Sequence, residues 1–143
     1  MNGIKNKISG LHKIYVRGQG GLLDVAIHPD FKSNGIIYFT AAINIEGDNG
    51  GNTALYLAKL EGYELKNVEL LYKAIPNTKK GQHFGSRIVF DNDGHLFFSI
   101  GVRGNRDVNP QNLETDGGKI YRLKLDATIT EDNLFVNRND SLY

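Results

Sequence analysis

Short apolar runs separated by polar turns recur along most of the chain. Several alternate from residue to residue; in the run 54–60, Leu55 and Leu57 fall on one face and Tyr56 and Ala58 on the other. Runs with this period of two, rich in Ile, Val, Tyr and Phe, are typical of half-buried β-strands. The pattern predicts strands at residues 22–28, 36–42, 54–60, 68–75, 87–90, 96–100 and 119–125.

Turn signals lie between these runs and set the strands apart. Asn92-Asp93-Gly94 and Asp116-Gly117-Gly118 are examples, since Asn and Asp favour turns and Gly adopts the positive φ that tight hairpins require. Residues 61–71 have the composition for a turn or two of helix, although Gly62 and Tyr63 disfavour it. The predicted fold class is therefore all-β.

A weak internal repeat narrows the fold further. Residues 26–30 followed by 35–40 resemble residues 89–93 followed by 94–99: each is a strand, an acidic turn, a glycine and an aromatic-rich strand. The repeated glycines, Gly35 and Gly94, lie about 60 residues apart, which is room for a four-stranded blade. This predicts a partial β-propeller of about two to two and a half blades, an array too short to close, with uncovered sheet faces. A small β-sandwich is the alternative.

Composition removes several classes of function. The chain has 17 Lys and Arg against 16 Asp and Glu, so net charge gives no reason to predict nucleic-acid binding. The chain lacks cysteine, which excludes disulfides, thiolate metal sites and thiol catalysis. No apolar run approaches the length of about 20 residues that a membrane-spanning helix needs. Residues 1–10 are polar and show no signal peptide.

Three stretches, in order, carry a resemblance to a known family. They are residues 18–31, beginning Gly-Gln-Gly-Gly; residues 83–101, beginning His-Phe-Gly-Ser-Arg and ending Ser-Ile-Gly; and residues 111–135, which include Gly-Lys-Ile-Tyr-Arg-Leu and Asp-Asn-Leu-Phe. Together they resemble the glucose/sorbosone dehydrogenase family, in particular its soluble type that uses pyrroloquinoline quinone (PQQ) to oxidise aldose sugars. The resemblance covers nearly the whole chain, and residues 1–143 are interpreted as the N-terminal part of one propeller domain.

The resemblance implies a set of expectations about the whole protein. The family fold is a six-bladed propeller, so later blades are expected to follow. An aldose sugar is the implied substrate, an external electron acceptor the implied partner, and PQQ the implied cofactor. Calcium is expected through residues beyond this chain, and we assign no metal site within it. A periplasmic or secreted location is also implied by the family.

His83 is the candidate catalytic residue. In the family, the histidine of the His-x-Gly-x-Arg stretch is the general base that takes the proton of the anomeric hydroxyl while hydride passes to PQQ. An imidazole suits this role because it accepts a proton near neutral pH. The adjacent Gly85 keeps the backbone bare for a planar cofactor. A structural histidine at the start of a blade is the alternative.

Three further residues are candidates for cofactor binding beside His83. Gln19 matches a family glutamine that lines the pocket, and its amide can both donate and accept hydrogen bonds. Arg103 and Asn105 are expected to line the rim of the pocket, with an ordinary exposed loop as the alternative. Arg87 also matches a family position, and we interpret it as a strand-fixing residue in a buried ion pair.

Val102 departs from the family pattern. Family members have Gly-Asp where this chain has Gly101-Val102, and the aspartate holds the catalytic histidine. A carboxylate partner orients an imidazole and increases its basicity, and valine does neither. Either another group such as Asp107 replaces it, or activity is weak or lost. The alternative function is therefore a non-catalytic propeller that binds a protein or a glycan.

Overall fold

A computed structural model describes residues 3–45 and 49–134, which form two antiparallel sheets. Phe135 of the third family-like stretch and both ends of the predicted domain lie outside the described residues. The first sheet has the order β1-β2-β3-β4 and the second β5-β6-β7. The strands are β1 Leu22–Ile27, β2 Ile36–Ile43, β3 Asn52–Glu61, β4 Glu64–Lys73, β5 Gly85–Phe90, β6 His95–Ile100 and β7 Lys119–Lys124. A short helix α1, Phe31–Asn34, precedes β2, and a 3₁₀ helix, Asn109–Gln111, precedes β7.

All seven predicted strands are confirmed, and the helix considered for residues 61–71 is wrong. Glu61 pairs with Glu64 across a tight turn, and β4 then runs back along β3 as an antiparallel partner. Gly62 adopts a φ of 59°, which suits such a turn better than the first turn of a helix. Leu65 is buried and Val68 packs beside the same core, so pairing and burial outweigh the weak helical tendency.

The two sheets pack face to face across an aromatic core. Tyr38 and Leu55 of the first sheet meet Ile88, Phe98 and Tyr121 of the second. The ring of Tyr38 in the first sheet is tilted against the ring of Phe90 in the second, with their centroids 5.4 Å apart. Aromatic pairs in such non-parallel arrangements contribute beyond the area that they bury. This core holds the two sheets in a defined relation and therefore also the loops at their ends.

The innermost strands of the two sheets, β1 and β5, are neighbours. Asp24 of β1 accepts a hydrogen bond at 2.9 Å from the backbone N–H of Ile88 in β5. Each sheet is a simple meander, as in consecutive propeller blades, and lacks the Greek-key connections of a sandwich in the described residues. One four-stranded and one three-stranded blade correspond to the lower end of the predicted range.

The outer faces of the two sheets differ in how they are covered. Ile37, Phe39 and Tyr56 of the first sheet form a second buried cluster, against which Ile14 of the N-terminal segment packs. On the second sheet, in contrast, Val89 and Ile120 are exposed, Ile120 by 75%. The uncovered face that the sequence predicts is thus present on the second sheet.

Candidate functional site

Two loops meet at one end of the array, and each leads into an innermost strand. The loop before β1 carries Gln19, and the loop before β5 carries His83. The backbone N–H of Gln19 donates to the carbonyl of Gly81 at 2.7 Å. In return, the backbone N–H of His83 donates to Oε1 of Gln19 at 2.8 Å. The prediction that Gln19 and His83 converge is therefore confirmed.

The local sequence explains why these loops approach so closely. Gly18 has a φ of 59°, and a Cβ placed on it would lie 2.1 Å from the carbonyl oxygen of Gly81. Only glycine fits this contact. His83 itself has a φ of 54°, a left-handed conformation that non-glycine residues adopt at a cost of about 1–3 kcal/mol. Such conformations cluster at functional sites, which supports a role for His83 beyond packing.

The side chains of Gln19 and His83 are both exposed. Gln19 uses its oxygen towards His83, so its NH₂ group is available as a donor. The His83 imidazole makes no hydrogen bond to any residue within 3–45 or 49–134. The site thus presents an amide donor next to an imidazole without an orienting partner in this part of the chain.

Arg103 lies beneath the His83 loop and is only 3% exposed. Its guanidinium donates to the carbonyls of Gln82, Lys80 and Gly51 and lies over the ring of Phe84, with Cζ 3.4 Å from the centroid. Its backbone N–H donates to the carbonyl of His83 at 3.1 Å. Burial lowers the pKa of Arg103 to about 10, so the group stays charged at neutral pH. Arg103 therefore supports the loop that presents His83, and its predicted contact with a cofactor stays a prediction.

The loop after β6 also carries Val102, Asn105 and Asp107, the other residues that the sequence analysis singled out here. Asn105 is exposed, and its side-chain N–H donates to Oδ1 of Asn109 at 3.3 Å. Val102 is half-buried, and its carbonyl accepts a hydrogen bond from Asn109 at 3.0 Å. Asp107 is exposed and pairs with Arg106, its neighbour, at 3.4 Å. Asp107 makes no hydrogen bond to His83, so it does not replace the missing carboxylate in this structure.

Two interpretations from the sequence, those of Gly85 and Arg87, change with the structure. A Cβ on Gly85 would lie 2.7 Å from the backbone nitrogen of Gly101, so close packing against β6 already requires this glycine. Arg87 contacts Asp24 at 3.5 Å, but its side chain is 78% exposed, so the pair is not buried. His95, at the start of β6, is held by its neighbours: its Nδ1 lies 2.8 Å from Oδ2 of Asp91 and its ring contacts Arg122.

Asp116 has a role that sequence reasoning missed. This buried carboxylate accepts hydrogen bonds from the backbone N–H of Ile75 at 2.6 Å and from the hydroxyl of Tyr121 at 2.5 Å. Ile75 follows the first sheet and Tyr121 belongs to the second, so Asp116 links the two. Burial and this hydrogen bond raise the pKa of Tyr121, which remains a donor. An Asp before two glycines indicates only a turn, and its partners are far away in sequence.

A cavity of about 240 Å³ lies next to this link. It is bounded by the connection between β4 and β5 and by the connection between β6 and β7. Neither Gln19 nor His83 lines it, whereas Arg103 and Asn105 do, so the predicted cofactor-binding residues fall into two separate places. The lining residues are Asn52, Ile75, Pro76, Thr78, Lys80, Arg103, Asn105, Asn109 and Gly117.

Two meander sheets with adjacent inner strands, and a polar site on the loops that lead into them, define a partial β-propeller. The chain belongs to the glucose/sorbosone dehydrogenase family, which it matches over residues 1–143. It is 31% identical over 139 residues to the aldose sugar dehydrogenase YliI of Escherichia coli, covering 96% of this chain and 37% of that protein.

Solved structures agree with this assignment. The apo-form of the soluble aldose sugar dehydrogenase of Escherichia coli superposes with a TM-score of 0.87 at 31% identity, over 96% of this chain and 40% of that one. The PQQ-bound form of the aldose sugar dehydrogenase of Streptomyces coelicolor superposes with a TM-score of 0.65 at 30% identity, over 85% of this chain and 35% of that one. The chain spans about a third of the length of its curated relatives. The prediction of a partial propeller is confirmed.

Two searches of the described residues concern metals and membranes. No group of three or more His, Asp or Glu side chains is arranged to hold a metal ion in residues 3–45 and 49–134. In the same part of the chain, no helix is long and apolar enough to cross a membrane.

Proposed function

We propose that this chain contributes the catalytic base to a PQQ-dependent oxidoreductase that oxidises the anomeric hydroxyl of aldose sugars. The observation that carries the proposal is the exposed His83–Gln19 pair, built on the stretches that this family shares. His83 takes the proton from the anomeric hydroxyl as hydride leaves the same carbon, giving the lactone. Bound PQQ would supply the hydride acceptor, and an external electron acceptor would then reoxidise it. A periplasmic or secreted location and calcium bound by residues outside this chain belong to the same proposal.

The chemistry of the exposed groups fits a quinone with carboxylate and carbonyl oxygens. The NH₂ group of Gln19, which has no acceptor among the described residues, is a donor for such an oxygen, and the backbone hydrogen bond from His83 restrains the direction of the amide. The imidazole of His83 is accessible and unpartnered in the described residues, as a group that must reach a substrate proton has to be. Arg103, which lies beneath the His83 loop, donates hydrogen bonds to the carbonyls of Gln82 and Lys80 and so fixes the backbone of that loop.

Aldose oxidation with and without PQQ tests the proposed activity. A protein that carries this chain within a closed propeller is expected to reduce an artificial dye when an aldose, PQQ and calcium are all present. Omission of PQQ is the control and is expected to abolish dye reduction. Aldose-dependent dye reduction that persists in the cofactor-free protein would contradict the proposal, as would its complete absence in a protein shown to bind PQQ.

Replacing Val102 by aspartate tests the missing orienting partner. Val102 stands between Gly101 and Arg103, whose backbone N–H groups donate to the carbonyls of Phe84 and His83, so the backbone at this position runs beside the His83 loop. We expect Val102→Asp to raise turnover by about tenfold, a part of the 10²–10⁴-fold that general-base catalysis supplies. The measurement is kcat for an aldose, with PQQ affinity measured in parallel.

Val102→Asn is the matched control, because asparagine has the shape of aspartate without its negative charge. A smaller gain is expected from the amide than from the carboxylate. Unchanged turnover in Val102→Asp with intact PQQ affinity would show that His83 needs no carboxylate at this position.

A non-catalytic propeller that binds a protein or a glycan is the second candidate. The observation in its favour is that the His83 imidazole has no hydrogen-bond partner in the described residues, with valine at the position where the family has aspartate. This candidate predicts no turnover in either Val102 background and no effect of replacing His83 on redox activity.

A further inference from the structure

The cavity beside Arg103 is surrounded by cations that lack ion-pair partners. Lys80 and Arg103 line it, and Nζ of Lys119 donates to the carbonyls of Asn109 and Gly117 in its wall. None of these three cations forms an ion pair with a carboxylate of the described residues. Their partners are instead neutral carbonyl groups, which solvate a positive charge without cancelling it.

The positive charge of Arg103 is the most unfavourable of the three, because this residue is buried. Its Nε has no hydrogen-bond partner among residues 3–45 and 49–134, although only 3% of the residue is exposed. Burial of a cation without a counter-charge is unfavourable, and an unmade hydrogen bond adds to the cost. Burial also lowers the pKa of Lys119, although the nearby Asp116 opposes this. Asp116 is the acidic neighbour of Lys119, but its two oxygens already accept hydrogen bonds from Ile75 and Tyr121.

The walls of the cavity offer both charged and neutral hydrogen-bond donors. Nζ of Lys80 uses one hydrogen bond on the carbonyl of Gly104 at 2.9 Å and has two further protons. The hydroxyl of Thr78 accepts from the backbone of Lys80, so its own proton can be donated elsewhere. The amide of Asn105 lies at the same wall. Charged and neutral donors thus converge on a space of about 240 Å³, large enough for a small anion.

We propose that the cavity bounded by Thr78, Lys80, Arg103 and Asn105 is a binding site for a small oxyanion, a phosphate or carboxylate group. Lys80 and the neutral donors contact the oxyanion, while Arg103 contributes its uncompensated charge from the wall. The inference does not rest on the proposed function, because neither Gln19 nor His83 lines the cavity.

Titration calorimetry of the full chain with sodium phosphate tests the site, at constant pH and with ionic strength balanced by sodium chloride. We expect saturable binding that Lys80→Gln weakens by about tenfold, which corresponds to about 1.4 kcal/mol. Lys79→Gln is the matched control: it removes the same charge from the neighbouring exposed residue, outside the cavity lining. The control is expected to bind phosphate within about twofold of the unmodified chain, because Lys79 does not line the cavity.

A parallel titration with sodium acetate distinguishes a phosphate site from a carboxylate site. Tighter binding of one anion, with the same dependence on Lys80, assigns the ligand class and supports the proposal. Equal weakening in Lys79→Gln and Lys80→Gln would show only general charge attraction and would overturn it. Absence of saturable binding for both anions, in a chain whose circular dichroism shows the native β-structure, would overturn it as well.

Discussion

Replacing His83 by alanine is expected to lower aldose turnover by about 10²–10⁴-fold, the usual contribution of a general base. In the proposed mechanism the base is this imidazole, which is exposed and has no hydrogen-bond partner in the part of the chain that the structure describes. Alanine cannot accept the anomeric proton. The measurement is kcat and kcat/KM for an aldose in a closed propeller that carries this chain and is loaded with PQQ. Substrate binding should change much less than kcat, because the lost interaction belongs to the proton-transfer step.

Two control variants make this test specific to the imidazole. His83 has a φ of 54°, which alanine tolerates poorly, so His83→Ala also strains the backbone. His83→Asn avoids most of this strain, because asparagine adopts the left-handed region readily, and it is expected to be as inactive as His83→Ala. His12→Ala removes another exposed histidine, remote in sequence, and should leave turnover unchanged. An active His83→Asn would mean that the backbone conformation, and not the imidazole, is what matters.

The strands could be predicted from the sequence because the signals for each strand lie within a few residues of one another. Alternation in the run 54–60 and the glycine-containing turns around it are local signals, and both survive in β3 and its neighbours. The ambiguity at residues 61–71 was also local: Glu, Leu and Lys favour a helix, whereas pairing with β3 is decided by residues outside that window. Short-range patterns therefore predict the elements better than their boundaries.

The candidate site was predictable only in part. The shared stretches single out Gln19 and His83, and the meander explains why equivalent loops of successive blades meet. The position of Arg103 was not predictable, because its carbonyl partners, at Gly51, Lys80 and Gln82, come from two other loops. The same holds for Lys80, which nothing in the sequence distinguishes from Lys79. Charge type is visible in a sequence, but burial and the choice of partner depend on tertiary packing.

Loss of the Asp116 carboxylate is expected to destabilise the fold. Replacing Asp116 by alanine removes the acceptor of the Tyr121 hydroxyl and of the Ile75 N–H, and with it the polar link between the sheets. The Tyr121 hydroxyl is then left without that partner in a buried place, and the Ile75 N–H in a part-buried one. An unsatisfied buried polar group costs about 1–3 kcal/mol, so we expect Asp116→Ala to lower the free energy of unfolding by about 2–4 kcal/mol. Urea denaturation followed by circular dichroism measures this loss.

A double-mutant cycle with Tyr121→Phe separates the link from other effects of the substitution. If the carboxylate acts through the Tyr121 hydroxyl, Asp116→Ala should cost about 1 kcal/mol less in the Tyr121→Phe background, because that donor is already absent. Asp107→Ala is the matched control for the loss of a carboxylate, since Asp107 is exposed, and it should change stability by less than about 0.5 kcal/mol. Equal losses from Asp116→Ala and Asp107→Ala would show that the buried link contributes nothing to the stability of the two sheets.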